Sequence, residues 1–185
     1  MKLIETPLAG VWLVETAPRG DTRGRLTRLF CADAFAPVRP GLRFVQVNHS
    51  ITALAGTVRG LHWQRGPHAE AKLIRCLRGS VFDVAVDLRP GSPTFGRWHG
   101  VELSAHNERE VFIPEGCAHG FQALSDDAQL LYQHTAPHSP ACEAGLRYDD
   151  ADLAIAWPLR ISLVSERDRC HPLLSEIAVT QGVPA

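Results

Sequence analysis

The sequence lacks several features that identify common classes of protein. None of its 185 residues belongs to a run that approaches the ~20 apolar residues of a membrane-spanning helix. A surplus of one charge is also absent, because 19 basic and 20 acidic residues give a formal net charge of -1. We therefore expect neither nucleic acid nor a membrane as a partner, and an anionic ligand would need a local cluster of positive groups.

The sequence also lacks a pattern of paired cysteines. The five cysteines are odd in number, scattered, and include no C-x-x-C pair, which argues against a disulfide framework and a thiolate zinc site. The first residues, "MKLIETPLAGVWLVE", reach Glu5 and Pro7 before any apolar run of signal-peptide length. We expect a reduced protein of the cytoplasm, and the chain length predicts a single domain over residues 1–185.

Amphipathic segments of helical length are missing from the centre of the sequence, where short strand-like runs recur between Gly, Pro and Asp. These runs are "FVQVNHSIT", "TVRGLHWQ", "AKLIRCL", "SVFDVAVDLR", "WHGVELSA", "EVFIP", "GFQAL" and "AQLLYQHTA". Their regular spacing predicts an all-β antiparallel sandwich or barrel. Short helices are expected only at the edges, in "CADAFAP", and in the tail near "HPLLSEIA". The "RGS" between two of the runs predicts a hairpin turn.

The run "SVFDVAVDLR" alternates with the period of a strand. Its two faces are Phe82, Val84, Val86 and Leu88 on one side, and Val81, Asp83, Ala85 and Asp87 on the other. Carboxylates are rare inside proteins unless they are paired. Either the face with Asp83 and Asp87 turns to solvent, or these carboxylates orient histidines or hydroxyl groups in a polar cavity.

Two histidines occupy polar, glycine-containing stretches of predicted strands. His62 lies in "RGLHWQ", and His119 lies in "IPEGCAHGF" directly before Gly120, where the backbone can approach a ligand closely. Arg59 and Lys72 are within one hairpin's reach of His62 and are suited to a phosphate or an oxyanion. Each of these residues taken alone also fits an ordinary core or strand-edge position.

Tyr132 and Asp168 are ambiguous on their own. Tyr132, in "LLYQHT", fits a core tyrosine with one hydrogen-bond partner, and becomes a candidate acid only if it faces the same cavity as His62. Asp168, in "VSERDRCHPLL", fits a carboxylate of a surface loop. These residues need a wider context before they can be assigned a function.

That context comes from several longer stretches taken in order. They are "VRGLHWQRG", "AKLIRCLRGSVFDVAVDLRPGSPTFGRW", "FIPEGCAHGFQALSD", "LLYQHT" and "DLAIAWP". With them the chain resembles the dTDP-4-dehydrorhamnose 3,5-epimerase family, a metal-independent branch of the cupin superfamily, from "GDTRGRLTRLF" to "SERDRCHPLL". The resemblance implies a jelly-roll homodimer that inverts C-3 and C-5 of a nucleotide-linked 4-keto-6-deoxy sugar and needs no cofactor.

The resemblance also implies roles for individual residues. It places the catalytic base on His62, the carboxylate that pairs with this base on Asp168, and the proton donor of the opposite face on Tyr132. It places Lys72 near the keto oxygen of the sugar. The residues implied to bind the substrate are Arg59, near the diphosphate, and His119, Arg23, Gln46, Asn48, His138 and Glu143.

These implied roles agree with the chemistry of the reaction. A hydrogen next to a ketone is only weakly acidic, so its removal requires positioned groups that stabilise the enolate oxygen. Lys72, with or without help from His119, is suited to this task. Inversion requires a base on one face of the sugar and an acid on the other, and an imidazole titrates near working pH.

A metal site is the alternative in the wider superfamily. "PEGCAH" fits the second half of the cupin metal motif, with His119 as a ligand. The first half needs a second imidazole two residues after His62, where this chain has Gln64. Since zinc and iron usually take about three protein ligands, we expect no metal at this place, and a metal-dependent isomerase or oxygenase is the more distant hypothesis.

The nucleotide end departs from the family pattern. The family usually reads "RGFFFE" where this chain reads "RGRLTR", so Leu26 and Arg28 replace an aromatic and an acidic residue. Val47 replaces an aspartate, and Pro137 and His138 replace an aromatic pair. Either the sequence has drifted within one function, or the substrate differs in its nucleotide, its sugar or the number of inverted carbons.

Overall fold

The structure of the protein, a computed structural model, describes residues 1–180 and consists mainly of short antiparallel strands. The strands are β1 (Lys2–Glu5), β2 (Trp12–Glu15), β3 (Arg19–Asp21), β4 (Gly24–Leu26), β5 (Gln46–Thr52), β6 (Val58–Gln64), β7 (Lys72–Arg78), β8 (Ser80–Asp87), β9 (Trp98–Ser104), β10 (Arg109–Ile113), β11 (Cys117–Ala123), β12 (Ala128–His134) and β13 (Glu143–Gly145). The helices are α1 (Ala32–Phe35), α2 (Glu166–Arg169) and α3 (Leu174–Thr180).

Two sheets form the body of the fold. One contains six strands in the order β1-β2-β10-β7-β12-β5, and the other contains five in the order β13-β6-β11-β8-β9. The strands of each sheet pair in antiparallel fashion. A separate hairpin, β3–β4, lies outside both sheets. This arrangement confirms the predicted all-β, cupin-type jelly roll with short helices at the edges and in the tail.

The main core lies between the two sheets, because each contributes one apolar face. Its members include Ile74, Cys76, Val111 and Leu130 from the six-stranded sheet, and Val81, Ala85, Leu103 and Phe121 from the five-stranded sheet. A second cluster joins the outer residues of β6 and β8 to the C-terminal region. A third cluster packs Phe35 of α1 and the N-terminal strands against β7 and β10.

The two faces predicted for β8 are present in the structure, and the position of its two carboxylates follows from them. Val81 and Ala85 lie in the main core, whereas Val84, Val86 and Leu88 lie in the second cluster. Asp83 and Asp87 share the inner face and are almost fully buried. The interpretation in which this face turns to solvent is therefore wrong, and both carboxylates have polar partners inside the protein.

Asp87 fixes the loop that follows β8. It accepts hydrogen bonds from Ser92 Oγ, Thr94 Oγ1 and the guanidinium of Arg89. Burial alone would raise the pKa of the Asp87 carboxyl, but these donors outweigh it and lower the pKa to about 2. This carboxylate thus orients hydroxyl groups, as the second interpretation expected, while Asp83 binds a histidine.

The predicted hairpin at residues 78–80 is wrong. The chain turns there, but β7 pairs with β10 and β12, whereas β8 pairs with β9 and β11. The apolar residues of both strands belong to the same core cluster, so the strands face each other across the core and do not share an edge. The turn carries the chain from one sheet to the other.

Some elements lack a sequence prediction, and one prediction exceeds what the structure describes. The short strands β1–β4 and β13 and the one-turn helix α2 were not predicted. The single domain predicted for residues 1–185 includes residues 181–185, which lie outside the described part, and stays a prediction. Within the described part, no helix is long and apolar enough to cross a membrane.

Candidate active site

A cleft of about 1130 Å³ opens between side chains of the two sheets. β6 and β11 of the five-stranded sheet line one wall, which we call the five-strand wall. β5, β7 and β12 of the six-stranded sheet line the opposite wall, the six-strand wall. The five-strand wall carries His62 and His119, and the six-strand wall carries Lys72 and Tyr132. The fold therefore brings His62 and Tyr132 into one cleft, although they are 70 positions apart in the sequence.

On the five-strand wall, His62 forms a close pair with Asp168. His62 Nε2 lies 2.7 Å from Asp168 Oδ1, and the amide of Gly60 donates to Asp168 Oδ2 over 3.1 Å. Burial alone would raise the pKa of Asp168, but the hydrogen bond and charge of His62 and the Gly60 amide lower it. An ionised carboxylate has no hydrogen to donate, so Nε2 carries a hydrogen, and in the neutral form of the ring Nδ1 keeps a free lone pair.

Helix α2 holds Asp168 in place. Ser165 precedes the helix, and its Oγ accepts a hydrogen bond from the Asp168 amide over 3.0 Å. Asp168 is only 4% exposed, although its sequence context fits a surface loop. The short cap and the contact with β6 thus turn a C-terminal carboxylate into the cleft.

Glycine allows β6 and β11 to cross closely beside the histidines. A Cβ atom on Gly60, where φ is +111°, would lie 2.6 Å from the Cα of Gly120. The contact lets His62 and His119 pair directly across the two strands. The expectation that a ligand approaches the backbone at Gly120 is wrong, because the backbone of Gly60 fills that space.

His119 is oriented by Asp83, as the interpretation with an inner polar face expected. His119 Nε2 lies 2.8 Å from Asp83 Oδ2, and both residues are buried. Burial lowers the pKa of the His119 imidazole, although the charge of Asp83 opposes the change. A neutral His119 that donates Nε2–H to this carboxylate presents an accepting Nδ1.

On the six-strand wall, Lys72 lies in a buried polar network. Its Nζ donates to the His62 carbonyl over 3.1 Å and lies 3.3 Å from Glu70 Oε1. Burial lowers the pKa of Lys72, and the negative charge of Glu70 opposes this effect. Because an ammonium group has three hydrogens and these contacts use two, one remains for a ligand oxygen.

Glu70 extends the network to His134. Glu70 Oε2 lies 3.1 Å from His134 Nδ1, and His134 Nε2 lies 3.4 Å from Asn48 Nδ2. Burial would raise the pKa of Glu70, but the hydrogen bond of His134 and the charge of Lys72 lower it. One carboxylate thus holds both the lysine and an imidazole beside the cleft.

Tyr132 lies between two imidazole rings. Its ring stacks on His134 with centroids 5.9 Å apart, and meets the edge of the His119 ring at 5.7 Å. Burial raises the pKa of the Tyr132 hydroxyl well above its ordinary value. The hydroxyl therefore keeps its proton at neutral pH and is available as a donor.

Gln46, Asn48, His138 and Glu143 line the cleft at its rim. Gln46 Oε1 accepts from the His138 amide over 2.9 Å, and Gln46 Nε2 donates to Asn48 Oδ1 over 3.3 Å. Glu143 lies 3.6 Å from His138 Nε2. It also forms an ion pair with Arg167, whose hydrogen bond and charge lower the pKa of Glu143 against the effect of burial.

The two arginines predicted to bind substrate have different positions. Arg59 lines the cleft, with its guanidinium held by Thr52 Oγ1 at 3.1 Å and by the Ile51 carbonyl at 3.2 Å. Arg23 lies in the exposed β3–β4 hairpin and binds Asp21, and it does not line the cleft formed by residues 1–180 of one chain.

The departures from the family pattern separate in the same way. Val47 and His138 line the cleft, whereas Leu26 and Arg28 are not among the described residues that line it. Leu26 is 78% exposed at the end of β4. Of these four departures from the family pattern, only Val47 and His138 are placed to contact a ligand in the cleft of a single chain.

Two residues of the cleft and one neighbour of the His62–Asp168 pair were missed in the sequence. Glu70 and His134 lie two positions from Lys72 and Tyr132, and the period of a strand would have placed His134 on the face of Tyr132. His171 lies three residues after Asp168 and contacts the edge of the His62 ring, with centroids 5.5 Å apart. Burial lowers the pKa of the His171 imidazole.

Gln64 stands where the cupin metal motif has a metal-binding histidine. Its Nε2 donates to the His68 carbonyl at 3.0 Å and to Glu70 Oε2 at 3.1 Å, so the amide is committed to the loop after β6. Nε2 of His119 is similarly committed to Asp83. The side chains at these positions therefore do not provide the ligand set of that motif.

Comparisons with known proteins show the family of this chain. A family model described as dTDP-4-dehydrorhamnose 3,5-epimerase matches residues 5–176. A dTDP-4-dehydrorhamnose 3,5-epimerase of Sinorhizobium fredii (strain NBRC 101917 / NGR234) is 43% identical over 174 residues, which cover 94% of this chain and 89% of the relative. A dTDP-4-dehydrorhamnose 3-epimerase of Streptomyces niveus is also 43% identical, over 178 residues that cover 95% of this chain and 85% of the relative.

A solved structure gives the same result for the fold. NovW, a 4-keto-6-deoxy sugar epimerase from the novobiocin biosynthetic gene cluster of Streptomyces spheroides, superimposes with a TM-score of 0.92 at 41% identity. The match covers 100% of this chain and 93% of that structure. Since sequence and fold agree over nearly the whole length, this chain belongs to the dTDP-4-dehydrorhamnose 3,5-epimerase family of isomerases.

Proposed function

We propose that the protein epimerises a nucleoside-diphosphate 4-keto-6-deoxyhexose, converting dTDP-4-dehydro-6-deoxy-D-glucose to dTDP-4-dehydro-L-rhamnose in deoxysugar biosynthesis. The observation that carries this proposal is the pair of opposed walls, with the His62–Asp168 pair on one and Tyr132 on the other. Inversion of a carbon next to a ketone requires this opposition of a base and an acid. The names of the relatives support the nucleotide and the sugar.

His62 acts as the base. Because Asp168 holds the Nε2–H of His62, the lone pair of Nδ1 is free to take the hydrogen from C-3 or C-5 of the sugar. The ring becomes an imidazolium, which the adjacent carboxylate of Asp168 stabilises. C-3 and C-5 both flank the ketone at C-4, so the same carbonyl acidifies both hydrogens.

Lys72 stabilises the enolate that forms. Its third ammonium hydrogen is available for the C-4 oxygen, where negative charge develops as the hydrogen leaves. His119 fits the substrate-binding role that the resemblance implied better than the help with the enolate that the chemistry alone allowed. With Nε2–H committed to Asp83, its Nδ1 accepts a hydrogen bond and fits a sugar hydroxyl better than an enolate oxygen.

Tyr132 returns a proton to the opposite face. Its raised pKa keeps the hydroxyl protonated until an enolate carbon requires the proton. The phenolate that results regains a proton from solvent, and His62 releases its proton, so the cycle needs neither a redox cofactor nor a metal. Arg59 binds the diphosphate, and Gln46, Asn48, His138 and Glu143 form the outer part of the cleft.

A 3-epimerase is the second candidate. The Streptomyces niveus relative carries that name at the same 43% identity as the Sinorhizobium fredii 3,5-epimerase. The His62, Asp168 and Tyr132 set serves one inversion as well as two. The residues that line the cleft do not separate these outcomes, so the count of exchanged carbons decides between them.

The experiment is proton exchange. The protein is incubated with dTDP-4-dehydro-6-deoxy-D-glucose in heavy water, and deuterium at C-3 and C-5 is followed by NMR. Deuterium at both carbons supports the 3,5-epimerase, and deuterium at C-3 alone supports the 3-epimerase. Folded protein that labels neither carbon contradicts the proposed substrate, and the same assay with other nucleotides then tests whether Val47 and His138 mark a different ligand.

We also propose that the protein is a homodimer of the cytoplasm. The edge strand β5 exposes Val47 and Ile51, and exposed strand edges favour pairing with another chain. A second copy would also be a source of Arg23 for the cleft. Light scattering measures the mass. If a second copy supplies Arg23, Arg23→Ala should weaken substrate binding, and mixing it with inactive His62→Asn should restore one normal cleft in each mixed dimer.

A further inference from the structure

His171 lies against the His62–Asp168 pair without completing a hydrogen bond of its own. Its Nε2 is 3.5 Å from Asp168 Oδ1, whereas N–H···O hydrogen bonds usually span about 2.7–3.2 Å. The same nitrogen is buried and has no hydrogen-bond partner among the described residues. A buried polar atom without a partner is uncommon and calls for an explanation.

Three donor atoms converge at this point. The ring nitrogens of His62 and His171 and a carboxylate oxygen of Asp168 all lie within 4.8 Å of one another. Two imidazoles and one carboxylate are a common set of protein ligands for zinc, with a fourth position left for water. A zinc ion with bonds of about 2.0–2.1 Å separates its ligands by about 3.3 Å, so the His62–Asp168 contact of 2.7 Å must open by about half an ångström.

The backbone holds His171 in the required position. A Cβ atom on Gly145 would lie 2.1 Å from His171 Nε2, so the ring occupies space that only glycine leaves open. Gly145 pairs with His62 across β13 and β6, which fixes the two imidazoles side by side. The side chains of His62 and His171 are 32% and 14% exposed, so both rings reach the protein surface, although Nε2 of His171 itself is buried.

We propose that His62, Asp168 and His171 form an inhibitory zinc site that switches off the catalytic base. Zinc binds Nε2 of His62 in place of the proton shared with Asp168, and the displaced proton moves to Nδ1. The ring stays neutral, but Nδ1 now carries a hydrogen and has no lone pair for C-3 or C-5. His171 supplies the third ligand and takes no part in the reaction itself.

This inference rests on the proposed role of His62, so binding and activity are measured separately. Zinc is titrated into the full-length protein by calorimetry at pH 7.5 without substrate, and Co²⁺ serves as a spectroscopic substitute. We expect one ion per chain, with the visible bands of tetrahedral cobalt and no thiolate charge-transfer band. His171→Ala should weaken zinc binding at least tenfold, and His106→Ala, which removes an exposed imidazole elsewhere, should leave it unchanged.

The activity measurement uses the same variants. Zinc should inhibit turnover of the wild-type protein, and EDTA should restore it. His171→Ala should keep turnover within about threefold of wild type while requiring at least tenfold more zinc for half inhibition. Because zinc that binds the diphosphate of the substrate would inhibit both proteins equally, this variant also controls for that effect.

Several results would overturn the inference. Absence of zinc binding would do so even if the epimerase is active, and equal zinc sensitivity of His171→Ala and wild type would do so as well. A thiolate band, or loss of binding in Cys170→Ser, would assign the ion to the neighbouring exposed cysteine. If the protein binds zinc through His171 but shows no epimerase activity, the site stands and the proposed function fails.

Discussion

The two walls of the cleft hold their functional groups in different ways. On the five-strand wall each histidine has one carboxylate of its own, Asp168 for His62 and Asp83 for His119. On the six-strand wall a single carboxylate, Glu70, serves both Lys72 and His134. The first arrangement fixes individual tautomers, and the second keeps a positive charge inside a buried site.

This difference matches the two halves of the proposed reaction. A base must present one defined lone pair, which a dedicated carboxylate secures by holding the other ring nitrogen. Enolate stabilisation requires a charged lysine in a place where burial disfavours the charge, and Glu70 opposes that loss. The walls should therefore respond differently to substitution, and four variants test this expectation.

The largest effect is expected for His62→Asn on the five-strand wall. Removal of the base should lower proton exchange and turnover by roughly 10²–10⁴-fold, because no other group takes the hydrogen. The affinity for dTDP should stay within a few-fold, since the base acts mainly in the transition state. Quenched time-point assays measure exchange and turnover, and calorimetry measures the affinity for dTDP. Near-normal turnover would show that another residue is the base.

Tyr132→Phe on the six-strand wall should separate exchange from inversion. His62 still removes the hydrogen, but without an acid opposite it returns solvent deuterium to the same face. We expect deuterium at C-3 with the original configuration, and inversion slowed by roughly 10²-fold. NMR reports both label and configuration, and loss of exchange together with inversion would argue against the division of roles between the walls.

Arg59→Ala should separate binding from chemistry within the five-strand wall. An arginine that binds a phosphate contributes about 1.5–3 kcal/mol, so KM should rise roughly 10- to 100-fold. The rate at saturating substrate should change little, because Arg59 is proposed to bind the diphosphate and not the reacting carbons. A fall in kcat with unchanged KM would place Arg59 in the chemical step.

The smallest effect is expected for Glu70→Gln, and it depends on pH. The Glu70 carboxylate raises the pKa of Lys72 against the lowering by burial, so the variant should lower that pKa further. Lys72 then loses its proton at lower pH, and the alkaline limb of the kcat/KM profile moves down in pH. Glu143 raises the same pKa less than Glu70 does, so Glu143→Gln should move the alkaline limb less, in the same direction. An unchanged profile in Glu70→Gln would show that the alkaline limb does not report the loss of a proton from Lys72.

Much of the fold could be predicted from the sequence because strand periodicity survives in the middle of the chain. The eight central runs all became strands. The alternation in β8 correctly placed Asp83 and Asp87 on one face with Val81 and Ala85, but only the structure shows that this face is buried. The hairpin prediction at residues 78–80 failed because a turn residue does not reveal which sheet receives the next strand. β1–β2 and β3–β4 are local hairpins of three- and four-residue strands, which are too short to show a clear alternation. β13 forms through pairing with the distant strand β6, which a local pattern does not encode.

The site was predicted only in part, because its networks join distant segments. Resemblance gave His62, Asp168, Tyr132 and Lys72, and the structure places them around one cleft. Glu70 and His134 were missed, since each has an ordinary sequence context and gains its role from neighbours in space. His171, which lies outside the cleft beside Asp168, was missed for the same reason. Arg23 shows the reverse case, because a residue implied by resemblance lies away from the cleft of its own chain.

The most direct test of the opposed walls is a crystal structure of the His62→Asn variant with dTDP-4-dehydro-6-deoxy-D-glucose bound. Loss of the base should let the substrate persist in the cleft. The account predicts the sugar between the walls, with residue 62 facing one side of C-3, the Tyr132 hydroxyl facing the other, and Lys72 Nζ in hydrogen-bonding contact with the C-4 oxygen. A sugar that meets residue 62 and Tyr132 on the same side, or that lies away from Lys72, would contradict it.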